Sequence, residues 1–185
     1  MATLERIHMT PAAFRQLAET NVPTELIHGE LIVSPTPVNK HQADVGEIYF
    51  FLKQLQKQKS DMGQAIVSPM DVWLDDHCVQ PDVFWVSKPE SRCKLGDDGY
   101  WYGAPDLVIE VLSPSTAHKD RGVKFDLYQQ YGVREYWLTD PDGQYIEVYR
   151  LENGKFERLG VFGLGQSFVS VVLADLIISI DSLLS

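Results

Sequence analysis

The chain has 185 residues, of which 44% are hydrophobic and 23% charged, proportions that suit one globular domain with a sizeable core. It has no run of roughly 18 apolar residues and no apolar block near the N-terminus, which argues against a membrane span or a secretion signal and points to the cytoplasm. The formal net charge of −10 disfavours a protein that coats nucleic acid with a basic face, but it allows a carboxylate cluster whose sign a bound cation reverses.

In chain order, residues Thr10 to Glu19 read as a short helix capped by Thr10, with Pro11 in its first turn. Glu25 to His28 and Leu31 to Ser34 read as a strand pair around Gly29-Glu30 or as one bulged strand, ended by Pro35 and Pro37. Asn39 is the expected cap of a longer helix, His41 to Lys57. Its apolar residues Val45, Ile48, Tyr49, Leu52 and Leu55 follow helical spacing. Short strands are expected at Gln64 to Ser68, Met70 to Leu74 and Asp82 to Val86, with Asp75-Asp76 as the turn before the last. Residues 87–102 have little apolar periodicity and read as a loop or partly ordered lobe; Trp101 is expected in the core with Trp73, Trp85, Tyr136 and Trp137, or else on this loop with Tyr100 in contact with a partner.

Leu107 to Leu112 is almost wholly apolar, as a central strand covered on both faces should be. A helix from Lys119 to Tyr131 follows, stopped by Gly132. Strands are then expected at Tyr136 to Thr139, Tyr145 to Leu151 and Lys155 to Arg158, with Asn153-Gly154 turning the last pair. The tail carries short strand and helix signals around Val169 to Ile178. Strands and helices interleaved in this way predict an α/β (α+β) fold, a mixed central sheet flanked by helices, in a single domain over 1–185. Cys78 and Cys93 could pair in principle, but without an export signal free cytosolic thiols are expected, and the lack of CxxC spacing argues against zinc.

Glu110 stands out because it lies inside the apolar strand. A carboxylate there is costly to bury unless it is paired or binds a metal. One reading is a salt bridge to a nearby Arg or Lys; the other is a functional acid. Asp106, four positions earlier, falls on the same strand face about 13 Å away. Asp82 opens a neighbouring strand after Pro81. Asp120, Lys124 and Tyr128 are spaced by four and share one helix face. They form either a solvated i,i+4 pair or an arrangement that sends Lys124 back toward Glu110.

The blocks Gly103 to Thr116, Asp120, Lys124, Tyr128 and Gly132 to Pro141, with Gln80-Pro81-Asp82-Val83, His28-Gly29-Glu30-Leu31 and His41, resemble a restriction-endonuclease family of unknown function that is greatly expanded in cyanobacteria. The resemblance implies the restriction-endonuclease-like fold with a PD-(D/E)xK site, on which Asp82 matches the Asp of the PD motif and Glu110 the second acid. Residue 112 is Leu112 where the motif has lysine, and Lys124 on the following helix is the matching residue. Glu30 and His41 match further polar positions, and Asp106 and Asp120 are secondary candidates.

The implied activity is phosphodiester hydrolysis of DNA, with Mg²⁺ or Mn²⁺ held by Asp82, Glu110 and the carbonyl of Val111. Pairing into a homodimer is an expectation for such nucleases. The alternatives are a DNA-binding or regulatory module that has kept the fold but lost cleavage, and a scaffold with Lys124 solvated and Glu110 paired to arginine.

Overall fold

A computed structural model describes residues 7–17 and 22–184. Helix α1 (Pro11–Phe14) begins as expected, with the Thr10 hydroxyl accepting the Ala13 N–H at 3.2 Å. It ends at Phe14, earlier than its sequence suggests; residues 18 and 19, the remainder of the expected helix apart from 15–17, lie outside the described residues. Strands β1 (Thr24–Ile27) and β2 (Glu30–Val33) pair antiparallel around His28 and Gly29, both at positive φ. Helix α2 (Asn39–Gln58) is longer than expected. Its cap position is Val38, in extended backbone, so Asn39 is the first helical residue and not the cap.

Strands β3 (Gly63–Val67), β4 (Val72–Leu74), β5 (His77–Val79) and β6 (Val83–Ser87) follow. Asp75-Asp76 turns β4 into β5, a strand too short to leave a periodic signal. The expected loop at 87–102 contains two further two-residue strands, β7 (Lys94–Leu95) and β8 (Trp101–Tyr102). Trp101 is buried, edge-on to Phe84 at 5.8 Å, so only Tyr100 of that pair is exposed. Then come β9 (Leu107–Val111), α3 (Ala117–Asp120), α4 (Val123–Tyr131), β10 (Glu135–Asp140), β11 (Tyr145–Glu152), β12 (Lys155–Gly163), β13 (Ser167–Ser170) and β14 (Leu176–Ser179).

The strands do not all join one sheet. The central sheet has the order β12-β11-β10-β9-β6-β3, and a second sheet has β2-β1-β5-β4-β8-β7. Strands β9 and β10 run parallel because the helical segment between them carries the chain back to the same end. The other neighbours in the central sheet are antiparallel. The fold class is therefore the mixed α+β one expected, with the second sheet and the separate antiparallel pair β13-β14 in addition.

Period-2 alternation divides the central sheet cleanly. Val83, Trp85, Ile109, Val111 and Trp137 face α2, whose Val45, Ile48, Leu52 and Leu55 pack against them. Phe84, Val108, Leu112, Tyr136 and Leu138 face α4 and the second sheet, meeting Leu127, Val72, Leu74 and Val79. Each fully buried aliphatic side chain contributes about 1.5–3 kcal/mol, so this two-sided core fixes the register of β9. Glu110 belongs to the second face.

The expected helix at Lys119 to Tyr131 is broken. Gly122 leaves helical geometry, with φ −120° and ψ −104°, and a Cβ there would meet the His118 carbonyl oxygen at 2.8 Å. The Tyr136 hydroxyl donates to the Asp120 carbonyl at 3.0 Å, giving a buried partner to backbone at the break. Gly132 ends α4 in the left-handed conformation, as expected. Cys78 and Cys93 are both buried and free. Burial pushes the Cys93 thiol up to about 12 and the Cys78 thiol further. Neither should react with a thiol reagent at pH 8 in the native protein, and both should after denaturation; rapid native labelling would contradict this burial.

Candidate active site

The site lies at the C-terminal end of β9, where the two sheets, α2 and the α3–α4 segment converge. Glu110, next to last in the apolar strand, is only 2% exposed. Its Oε1 lies 2.6 Å from Lys124 Nζ and accepts the Tyr128 hydroxyl at 2.8 Å. Lys124 therefore points back over the sheet and is buried rather than solvated. Its ammonium also lies 3.2 Å from Glu25 and 3.5 Å from Asp120, so three carboxylates surround one lysine.

Asp82 approaches Glu110 through the backbone. The Val111 N–H donates to Asp82 Oδ2 at 2.8 Å, and the Asp82 N–H lies 3.4 Å from Glu110 Oε2. His41 starts the buried stripe of α2, one turn before Val45, and places Nε2 3.2 Å from the same Asp82 oxygen. The structure thus gathers Asp82, Glu110, Lys124, His41 and Asp120.

It does not gather Asp106 or Glu30. Asp106 sits at the other end of β9, accepting the Ser87 N–H at 2.8 Å and facing Arg134. Glu30 lies at the start of β2, across from Ile27 and outside the cleft lining. The fourth acid of the cluster is Glu25 instead. It is buried on β1, accepting the Gln80 N–H at 2.9 Å as well as facing Lys124. Sequence reading passed over it because Glu25 to His28 looks like any short strand. The available signal was period 2, which puts Glu25 on the face of the buried Ile27.

Burial dominates the electrostatics. It pushes the Glu110 carboxyl well above the usual range, against the pull of Lys124, and Asp120 and Asp82 add to the rise. It raises Asp120 in the same way. Burial opposes the charge on Lys124, but Glu110, Glu25 and Asp120 outweigh it and hold the ammonium protonated. Burial also works against the His41 imidazolium, but Asp82 beside it and the Val111 carbonyl keep its pKa raised. Four carboxyl groups thus face one lysine and one histidine, and the crowding that raises Glu110 and Asp120 is of the kind a divalent cation would relieve.

Among the described residues, no three His, Cys, Asp or Glu side chains are arranged as a ready metal cage. The expected set is smaller: the carboxylates of Asp82 and Glu110 with the Val111 carbonyl. Such a set fits Mg²⁺, which is commonly held by one or two carboxylates and keeps its remaining positions for water and substrate phosphate.

A mixed sheet with paired acids at its centre and a lysine returning from the next helix defines a restriction-endonuclease-like protein. The chain belongs to the family Uma2, described as "Putative restriction endonuclease", whose model matches residues 11–181. It is also similar to a crystal structure from Anabaena variabilis ATCC 29413 described as "a putative nuclease belonging to DUF820". That likeness has a TM-score of 0.78 and 28% identity, covering 95% of this chain and 97% of the other. No curated protein matches the chain.

Proposed function

We propose that this protein is a metal-dependent endonuclease that hydrolyses phosphodiester bonds of DNA. The observation that carries the reading is the 2.6 Å contact between Lys124 and Glu110. A lysine from α4 thereby stands beside Glu110, which supports reading it in the role of the one absent from position 112. Asp82, Glu110 and the Val111 carbonyl would hold Mg²⁺ or Mn²⁺. Bound there, the ion supplies a water of lowered pKa and a counter-charge for the phosphate.

The chain's own residues do the rest. Lys124, kept charged by three carboxylates, stabilises negative charge developing on the phosphate. Tyr128, whose hydroxyl burial keeps protonated, donates to Glu110 and fixes its orientation. His41 fixes Asp82 from the other side. Asp120 and Glu25 position Lys124.

The alternative of a non-cleaving DNA-binding module draws on one feature: Lys124 is already neutralised by its carboxylate neighbours. The scaffold alternative in its strict form has a solvated Lys124 and an arginine on Glu110, and Lys124 is buried instead; its contact with Glu110 is nevertheless the salt bridge to a lysine that a purely structural role for Glu110 also calls for.

The test is incubation with labelled DNA, single- and double-stranded, in Mg²⁺, Mn²⁺ or EDTA. Fragments are expected with metal only, together with a rise in melting temperature on adding metal. Failure to cleave any of these substrates in either metal would sink the reading.

A further inference from the structure

We infer that the cleft accepts an unpaired nucleotide, base included, so that the substrate is a single strand or a frayed strand end and not intact duplex. The inference rests on the nuclease reading and specifies its substrate.

Size is the first argument. The cleft over Glu110 encloses about 540 Å³, within the range of pockets that surround a small ligand. The groups it serves are recessed, with Glu110 2% and Lys124 5% exposed. Duplex DNA carries its phosphates on the outside of a wide rod with its bases turned inward, a poor shape for reaching recessed groups.

The walls are the second argument. Pro35, Pro37, Val38, Pro69 and Pro114 line the cleft. These side chains match the flat apolar face of a base, while the hydroxyls beside them, such as Ser34, Thr36, Ser113 and Thr116, are left for the sugar-phosphate.

Gln80 supplies the third. It lies on the cleft wall, and its amide nitrogen donates to Asp71 at 2.7 Å, which fixes the flip of the amide. Its Oε1 has no protein partner and is closed to solvent, so a group in the cleft meets it only after the Gln80 side chain shifts toward the opening. A phosphate only accepts hydrogen bonds, so it cannot satisfy this oxygen; a base amino or imino group, or a sugar hydroxyl, can.

Charge is the fourth. Duplex binding draws on many phosphate contacts, whereas this chain carries a net −10 and the basic side chains of its cleft are His41, Lys119 and Lys124, the last already held by three carboxylates. A single unpaired nucleotide needs few such contacts. No second copy is then required to reach an opposite strand.

The test is fluorescence anisotropy in Ca²⁺ with a labelled oligodeoxynucleotide, the matching oligoribonucleotide and a blunt duplex of the same sequence. Single strands should bind at least about tenfold more tightly than the duplex, with a shallow salt dependence near one or two phosphates. The two single strands identify which sugar is preferred. Gln80→Leu should weaken single-strand binding about three- to tenfold. Val38→Glu, at a site 63% exposed at the mouth, should also weaken it and leaves the buried contacts intact if Gln80→Leu folds poorly.

Equal or tighter duplex binding, or no single-strand binding, overturns the inference. Cleavage in Mg²⁺ is scored separately on the same samples. Single-strand preference without cleavage therefore counts against the nuclease reading alone, and cleavage with duplex preference against the inference alone.

Discussion

Replacing Lys124 with methionine should destabilise the protein by about 3–5 kcal/mol, the usual cost of removing one partner from a buried ion pair. Methionine nearly matches the aliphatic stem, so packing is largely retained and the loss reports the charge. Without the ammonium, Glu25, Glu110 and Asp120 face one another in a region where all three are buried. For a chain of this size the effect corresponds to a fall in melting temperature of roughly 6 to 20 °C.

The same substitution should be pH-dependent in a defined direction. Glu110 and Asp120 already have raised pKa values in the folded protein. A carboxyl with a raised folded pKa contributes stability below its unfolded pKa and loses it as pH rises through the folded value. Removing Lys124 raises both further, so the penalty should be smaller at pH 5 than at pH 8. Urea denaturation at the two pH values measures this. An equal penalty at both would mean that the carboxylates are not the source of the loss.

The readable and unreadable parts of this chain differ for physical reasons. Strand β9 was legible because a central strand buried on both faces must be nearly all apolar, and that same requirement makes Glu110 conspicuous. Helix α2 was legible from its 3.6-residue stripe, although its cap was misplaced by one residue, because cap choice depends on the backbone leaving Pro37. The second sheet was not legible. Its strands β5, β7 and β8 span two or three residues and are held by neighbours distant in sequence.

The site divides the same way. Asp120 and Lys124 announce a shared helix face through spacing alone, but burial of that face depends on how α4 packs on the sheet. Glu25 reaches the cluster only because β1 joins β5 in the second sheet, a pairing no local pattern encodes. Asp106 has the right strand face but lies at the opposite end of β9, where it caps Ser87.

Replacing Glu110 with glutamine should reduce metal-dependent cleavage by about three orders of magnitude, the loss expected when several kcal/mol of metal-borne stabilisation is removed. Glutamine is chosen over alanine for its shape. Its amide oxygen can still accept the Tyr128 hydroxyl and approach Lys124, which also keeps Glu25 and Asp120. The fold should therefore survive. An amide is a far poorer ligand than a carboxylate for a hard dication, so the metal-induced rise in melting temperature should shrink with the activity. The paired readout separates causes. Lost cleavage with an intact metal response would move Glu110 away from the metal and toward orienting Lys124. Retained cleavage, with the protein folded, would remove Glu110 from the chemistry and leave its burial among Lys124, Tyr128 and Asp82 as a structural network.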